Sequence, residues 1–443
     1  MLTLSWILVK GHSGSRDHLV RIDAEMWPNI AAVPEGFRVK MKARKAESEF
    51  AAACFKAGLR LDGEDSDLVV VEETLFRRIA AAGWLGLAEG YMAEEWKSER
   101  LVDVLVKLFA VGYNPKTSHA PLGGEYQGKE IPPQLIRLFS GDGMSVHGTV
   151  FSSGVPITER TSVRSFVRGA GKSNEPASHF VDVTTVSDPT VVEKADLGDG
   201  QLRATTMLLD SAHVHAGTHL LDFPSSGPAL AINAAHRRAT VDVLTADREH
   251  SQDMKYVLDL AKVEGSVHVE LIDTAMPEAA AWPMSYDVIT NMEKLELMGP
   301  RMRRRYMQAL DRLLISGGYF AAQSVVLTGH MPDVAKSALN VCKAYIWPAL
   351  DLMTMENVHK LFDIASGLRI IAETHVGGHY QEGLRLQRAT FEGLLREAAA
   401  DGFDPVYRRL WVFQLAIREA LFRVGALDAV QITATTRNRR RRT

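Results

Sequence analysis

From about residue 200 onwards, short apolar runs alternate with segments whose apolar residues recur every three or four positions. Short apolar runs predict buried strands, and the three- and four-residue spacing predicts helices. The predicted strands lie at residues 218–223, 240–245, 267–272, 286–291, 319–327, 368–374 and 428–435. The predicted helices lie at residues 229–238, 248–262, 301–314, 354–366 and in a long stretch from 381 to 424. This alternation predicts parallel strands joined by right-handed helical crossovers, which is a doubly wound α/β sheet.

The first part of the chain has a different pattern and predicts a small α+β domain at residues 15–112. A strand-like run at 67–73 precedes helical spacing at 74–83 and 99–112. Pro, Gly and polar residues are concentrated at 113–133, which is typical of a linker. We therefore predict the small domain, a linker, lid-like segment and insertion at 113–199, an α/β domain at 200–436, and a basic tail at 437–443. Within the middle region, the polar residues 152–199 predict no clear element.

Composition narrows the possible classes of protein. With 443 residues, 46% hydrophobic and 24% charged, the chain can bury large cores, and its net charge of -3 gives no overall attraction to nucleic acid. The two cysteines, Cys54 and Cys342, are far apart and suggest neither a disulfide framework nor a zinc site. The apolar start of the chain is too short to span a bilayer and does not read as an export signal. We expect a cytoplasmic protein.

Three local patterns could carry chemistry, but each has a simpler structural interpretation. The GAGKS stretch at 169–173 lacks the earlier glycine and the leading strand of a phosphate loop, so we interpret it as a polar loop. His213, His215 and His219 could bind a metal, but surface histidines are the preferred interpretation and no metal site is predicted. Four methionines are interpreted as core or tunnel-lining residues: Met292, Met298, Met302 and Met307.

Several separated motifs resemble the cyclopropane-fatty-acid synthase family, which includes the mycolic acid cyclopropane synthases. The motifs follow the family's order and approximate spacing over most of residues 20–435, apart from the insertion. They lie at residues 76–106, 286–299, 309–327, 344–348, 383–395 and 427–433. The resemblance implies a class I S-adenosylmethionine (SAM)-dependent methyltransferase fold, which is Rossmann-like. It also implies transfer of a one-carbon unit from SAM to the double bond of an unsaturated phospholipid acyl chain.

The resemblance further implies a catalytic site that holds bicarbonate as a base. Glu296 falls where the family has the glutamate that holds bicarbonate, and Tyr380 falls at the matching tyrosine. Gln323 occupies a position often filled by His, and Gly148 one often filled by Cys or Ser. Without the resemblance, Glu296 would be interpreted as a solvated carboxylate at a helix end and Tyr380 as a packed loop aromatic.

The cofactor positions match the family less well. The resemblance assigns the SAM site to five positions: Asp222, Ser225, Gly227, Thr245 and Asp273. In the first loop, however, Pro224, Ser226 and Pro228 stand where the family has glycines. Glycines there permit positive φ and bring backbone N–H groups close to the ligand, whereas proline fixes φ and has no N–H.

A second cofactor element also departs from the family pattern. In the segment that closes over SAM, Lys129 replaces a tyrosine, and Pro132 and Pro133 replace a polar turn. The first loop has a purely structural interpretation as well: a strand ends at Phe223, Ser226 or Gly227 caps the next helix, and Pro228 occupies its first turn. Two altered elements in one site argue against ordinary SAM binding.

Two functions therefore remain open. In the first, the chain is an enzyme that modifies phospholipid acyl chains, with Glu296 and Tyr380 positioning bicarbonate. In the second, it is a non-catalytic relative that keeps an acyl-binding surface and acts as a partner or regulatory subunit of an intact homologue, so a homo- or hetero-oligomer is expected. The arginines of the tail, Arg437 and 439–442, are interpreted as a solvated end or as a contact with anionic lipid at the inner membrane face, and not as a nucleic-acid site.

Overall fold

The computed structural model describes residues 17–61, 65–117, 123–151, 158–165, 179–277, 282 and 284–437. The chain forms two compact units, and neither unit is one continuous stretch of sequence. Unit 1 comprises Met1–Gly123, His330–Pro348 and Phe391–Ala426. Unit 2 comprises Gly124–Gly329, Ala349–Thr390 and Leu427–Thr443. The hydrophobic pattern did not indicate that two later segments belong with the N-terminal one.

The strands include every strand predicted from the apolar runs, and they add two within the polar region 152–199. In chain order they are β1 Val69–Val70, β2 Trp96–Lys97, β3 Thr158–Arg164, β4 Phe180–Val186, β5 His219–Asp222, β6 Thr240–Thr245, β7 Val267–Leu271, β8 Tyr286–Met292, β9 Leu314–Leu327, β10 Leu368–His375 and β11 Leu427–Thr436. The GAGKS stretch lies outside the described residues.

Each predicted helical segment contains helix, and the structure adds helices that were not predicted, of which α3 and α8 are the longest. In chain order the helices are α1 Asp17–Val20, α2 Pro28–Ala31, α3 Phe37–Lys56, α4 Thr74–Ala82, α5 Trp84–Met92, α6 Leu101–Ala110, α7 Pro133–Phe139, α8 Leu197–Ser211, α9 Pro228–His236, α10 Arg248–Leu260, α11 Gly299–Leu313, α12 Pro332–Ala338, α13 Asn340–Tyr345, α14 Met355–Ala365, α15 Gly377–Gly393, α16 Leu395–Ala400 and α17 Pro405–Arg423. The stretch predicted as helical at 381–424 consists of three helices, α15, α16 and α17. The chain turns at Gly402 with φ 93°, and Asp404 then caps α17 by accepting the Tyr407 N–H.

Unit 2 is built on a nine-stranded sheet in the order β3-β4-β10-β11-β9-β8-β5-β6-β7. The pairs β7/β6, β6/β5, β5/β8 and β8/β9 are parallel, whereas β11 is antiparallel to both β9 and β10. The seven strands from β7 to β10 have the order of the class I methyltransferase sheet, which confirms the predicted fold class. The added hairpin β3/β4 extends this sheet, because β4 pairs in parallel with β10.

Both faces of this sheet are covered by apolar side chains. Neighbouring residues of β5 point to opposite faces, so that Leu221 joins one buried cluster with Ile289 and Phe320, and Leu220 joins another with Val243. Three of the four methionines, Met292, Met298 and Met307, are buried in these clusters, and Met302 packs against one of them. These positions confirm the core interpretation of the methionines. Burial on both faces is what a parallel sheet requires.

Unit 1 is a helical unit in which the short strands β1 and β2 pair antiparallel, and a buried arginine links several of its segments. The Arg78 side chain on α4 has no exposed surface, and its Nε donates to both carboxylate oxygens of Glu95 at 2.9 and 3.0 Å. Its terminal nitrogens donate to the backbone carbonyl groups of Asn29, Ile30 and Ala32 at the end of α2. The arginine therefore satisfies the carbonyl end of α2 while its charge is balanced by Glu95.

No helix in the described part of the chain is long and apolar enough to cross a bilayer.

Because Glu95 balances a fully buried charge, we expect Glu95→Gln to lower the free energy of unfolding by about 3–5 kcal/mol. The neighbouring Glu94 provides a matched control. It bonds Arg409 at 2.7 Å, but its side chain is 64% exposed, so Glu94→Gln should cost less than about 1 kcal/mol. Urea unfolding of both variants measures the difference, and equal losses would contradict a special role for the buried pair.

Candidate functional site

The carboxyl ends of the parallel strands lie along one edge of the sheet, where class I folds bind their ligands. Asp222 ends β5 and Thr245 ends β6, and Asp273 follows the end of β7. These three predicted cofactor positions are thus at one edge, as the sequence order requires. Asp222 and Thr245 are buried, whereas Asp273 is exposed.

The loop between β5 and α9 is buried from Phe223 to Pro228, and its polar groups bond to the chain itself. The Ser226 N–H donates to Asp222 Oδ2 at 2.5 Å, and its hydroxyl donates to Asp222 Oδ1 at 2.7 Å. The Thr290 hydroxyl donates to the same Oδ1 at 2.9 Å. Gly227 takes the N-cap position with φ 97°, and Pro228 begins the helix, in agreement with the structural interpretation of this loop.

Asp222 is therefore held by its own loop. Burial raises its pKa to about 6, although hydrogen bonds from Ser226 and Thr290 oppose this shift. The Ser226 hydroxyl also accepts the Met292 N–H at 3.2 Å, which ties the loop to the end of β8.

A second set of contacts crosses the same edge of the sheet. Glu130, which lies in the predicted linker at 113–133, forms a buried ion pair with Lys294 after β8, and its N–H donates to Asp247 after β6 at 3.1 Å. Because β5 lies between β6 and β8, these contacts pass across the carboxyl end of β5. Next to them, Ser225 Oγ lies 2.8 Å from Nε2 of the buried His250, and burial lowers the pKa of that ring.

These residues do not fit SAM bound in the family's manner. Pro224 and Pro228 offer no N–H, the Ser226 N–H is bonded to Asp222, and the Ser225 hydroxyl is bonded to His250. A nucleoside cofactor bound here would need free hydrogen-bond donors, whereas these N–H and hydroxyl groups of the loop are bonded within the chain itself.

At the second predicted site, two of the three catalytic candidates, Gln323 and Tyr380, bond to Glu293, which was not predicted as a site residue. Gln323 Nε2 on β9 donates to Glu293 Oε1 at 2.7 Å, and the Tyr380 hydroxyl on α15 donates to Glu293 Oε2 at 2.7 Å. The Gly148 N–H donates to Glu293 Oε1 at 2.9 Å. Three positions that the sequence associated with a bound anion thus hold the carboxylate of Glu293.

Glu296, the third candidate, has its own partners. Its carboxylate accepts the Ser324 hydroxyl at 2.8 Å and the Val325 N–H at 2.9 Å. Burial raises the pKa of Glu296 to about 7, and the nearby charge of Glu293 adds to this shift. It is buried, and it is not the solvated carboxylate of the alternative interpretation.

The sequence missed four charged or ionisable residues of this edge: Glu130, His250, Glu293 and Lys294. A signal for two of them was present, because Glu293 and Lys294 directly follow the apolar strand β8, where a charged pair at a buried strand end is unusual. His147 was missed as well. Its Nδ1 is 3.8 Å from Glu293 Oε2, and neither ring nitrogen has a hydrogen-bond partner in the described part of the chain.

The remaining candidates do not assemble a site. Among the described residues, no group of three or more His, Cys, Asp or Glu side chains could hold a metal ion. His219 instead lies 3.2 Å from Asp242, and the His215 ring bonds to the Ala216 carbonyl group. Of the basic tail, Arg437 pairs with Asp363 on α14, and residues 438–443 lie outside the described part.

The family model for mycolic acid cyclopropane synthetase matches residues 179–432, which is more than half of the chain. The chain belongs to this family. The match confirms the family predicted from the motifs between residues 286 and 432, whereas the motif at 76–106 lies outside it.

The individual relatives and solved structures that resemble the chain have low sequence identity to it. The chain is 28% identical over 432 residues to tuberculostearic acid methyltransferase UfaA1 of Mycobacterium tuberculosis. This alignment covers 93% of the chain and 96% of UfaA1. The cyclopropane synthase MmaA2 of the same species is 19% identical, covering 54% of this chain and 85% of its own, with a TM-score of 0.48. Mycolic acid cyclopropane synthase CmaA1 complexed with SAH (S-adenosylhomocysteine) and CTAB gives the same values.

Glu296 makes the stability of this family member dependent on pH. Its folded pKa of about 7 is above its ordinary value of 4.5, so its contribution is fully present below pH 4.5 and is lost as the pH rises through 7. As the pH rises from about 5 to about 8, the free energy of unfolding of wild type should fall. The free energy of unfolding of Glu296→Gln should fall less, and the difference should be on the order of 3 kcal/mol.

The control is Glu264→Gln, because Glu264 is exposed. This variant should follow the wild-type pH dependence in the same chemical-denaturation series. An identical pH dependence in Glu296→Gln and wild type would mean that Glu296 is already ionised in the folded protein at the lower pH.

Proposed function

We propose that this protein is a non-catalytic homologue of the lipid methyltransferases, a lipid-binding partner or regulatory subunit of an intact fatty-acid methyltransferase. One observation carries the proposal: the polar groups of the loop that follows β5 are hydrogen-bonded within the chain itself. Asp222, Ser225 and Ser226 bond to neighbouring groups of the chain, and Glu130 connects Lys294 after β8 with Asp247 after β6, the strands on either side of β5.

The physical argument is a comparison of free energies. A cofactor that entered this crevice would have to separate the buried ion pair of Glu130 and Lys294 or leave it in place and lose room. Separating a buried pair leaves uncompensated charge in a medium of low dielectric constant, at a cost of about 3–5 kcal/mol. The loop that would have to return this free energy contributes few donors, because two of its positions are proline.

The family relationship supports the lipid part of the proposal. The relative UfaA1 is a tuberculostearic acid methyltransferase by name, and the resemblance covers nearly the whole of both chains. The proposal requires that the fold keep a surface for acyl chains and a surface for a related chain after the cofactor site is lost. The proposed ligand is therefore a phospholipid acyl chain, and the proposed protein partner is a related methyltransferase with a glycine-complete loop.

A second candidate function is SAM-dependent one-carbon transfer to an unsaturated phospholipid acyl chain. It is favoured by the convergence of Gln323, Tyr380 and Gly148 on one carboxylate, with the buried Glu296 nearby in the chain. Such a polar cluster is unusual in a core that has only a structural role.

Calorimetry with SAM and SAH distinguishes the two candidates. We expect wild type to give no saturable heat with either ligand, whereas a family member with a glycine-complete loop gives micromolar binding under the same conditions. Asp222→Asn is the matched variant, because it changes the residue to which the loop is bonded. Micromolar binding by wild type that Asp222→Asn abolishes would establish a cofactor site and overturn the proposal.

Co-expression tests the partner role. We expect the untagged chain to co-purify with a tagged, glycine-complete fatty-acid methyltransferase from the same organism and to change that enzyme's rate on phospholipid vesicles. The chain alone should leave the acyl chains unmodified. Separate elution with unchanged rates, or methylation by this chain alone, would contradict the proposed role.

A further inference from the structure

Three neutral donors from separate segments of unit 2 meet at one carboxylate. They are the backbone N–H of Gly148, the side-chain amide of Gln323 and the hydroxyl of Tyr380, all within 2.9 Å of a Glu293 oxygen. The Gln323 amide is itself fixed, because its oxygen accepts a hydrogen bond from Gln431 on the neighbouring strand at 3.1 Å. Convergent N–H and O–H groups in a buried site form a binding site for an anion.

The donors are packed in place around this anion. A Cβ at Gly148 would lie 2.1 Å from the Tyr380 ring, so only glycine lets the ring approach this closely. A Cβ at Gly383, on the same helix as Tyr380, would lie 2.0 Å from the hydroxyl oxygen of Thr149. Two glycines thus permit the segment 148–149 and α15 to close on the carboxylate from one side.

The backbone of Glu293 adopts a conformation that is unfavourable for a glutamate. Its φ is 56°, in the left-handed region that favours glycine. A glutamate there costs conformational free energy that its side-chain contacts must offset. Its N–H donates to the Gln323 carbonyl group at 2.8 Å, which fixes the side chain beside its donors.

We propose that Glu293 is the resident anion of a small-carboxylate site. The chain supplies in covalent form the anion that the family resemblance assigns to bicarbonate, and the wild-type protein has no room there for a free one. This inference concerns the Glu293 pocket alone and holds whether or not SAM binds at the other crevice.

Glu293→Ala gives a direct test, because it removes an acetate-sized fragment and leaves the three donors. We expect the variant to be less stable than wild type, since buried donors lose their acceptor. Acetate should raise its Tm progressively at constant ionic strength, whereas propionate, which is larger, should raise it less. Acetate should have no such effect on wild type, and sodium chloride should have none on either protein.

Two further variants separate this site from non-specific salt effects. Glu293→Ala combined with Tyr380→Phe lacks one donor and should lose most of the response to acetate. Lys262→Ala changes an exposed residue whose φ is 57°, so it reports the backbone effect without the carboxylate. It should not respond to acetate.

Glu293→Gly covers the case in which the alanine variant does not fold, because glycine relieves the backbone at this position. Acetate-dependent refolding or stabilisation of either variant, together with a ¹³C-acetate NMR signal from a bound species, supports the inference. Folded variants that respond to acetate no more than wild type does would overturn it. A wild type that binds ¹³C-bicarbonate in competition with acetate would overturn it as well.

Discussion

Buried carboxylates at the carboxyl edge of the sheet must each find donors, and in this protein the chain supplies the donors. A carboxylate removed from water without compensation would shift its pKa strongly or destabilise the fold. Asp222 is bonded by its own loop, Glu130 by Lys294, and Glu293 by three neutral groups. These internal hydrogen bonds and the ion pair hold the loop after β5 and the neighbouring strand ends in their arrangement.

Much of the fold could be predicted because its signals are local. The apolar runs gave each strand of the class I order, and the substitution of Pro228 for glycine correctly predicted the start of α9. The hairpin β3/β4 could not be predicted, because the side chains of β3 are exposed and therefore carry no apolar alternation. The return of the segments 330–348 and 391–426 to unit 1 depends on tertiary packing, which periodicity does not report.

The site was harder to predict than the fold, and for a physical reason. Motif positions identified Gln323 and Tyr380, and they do lie together, because family spacing fixes which strand ends and helices meet. The acceptor between them, Glu293, was assigned no role, since a glutamate next to a strand end is normally solvated. Its burial depends on the approach of residues 147–149 and α15, which are far away in sequence. The ion pair of Glu130 with Lys294 likewise joins residues that are far apart in sequence, so no single motif contains it.

The hairpin β3/β4 has a consequence for how the sheet ends. Without it, β10 would be the terminal strand, and its largely buried residues would present unpaired backbone groups to other chains. Because β4 pairs with β10, the last strand is instead β3, whose sequence includes Glu159, Arg160 and Arg164, all exposed. Charges on an edge strand oppose its edge-to-edge pairing with a strand of another molecule. The hairpin therefore replaces β10 with a charged strand at this edge of the sheet, and the charges oppose aggregation through that edge.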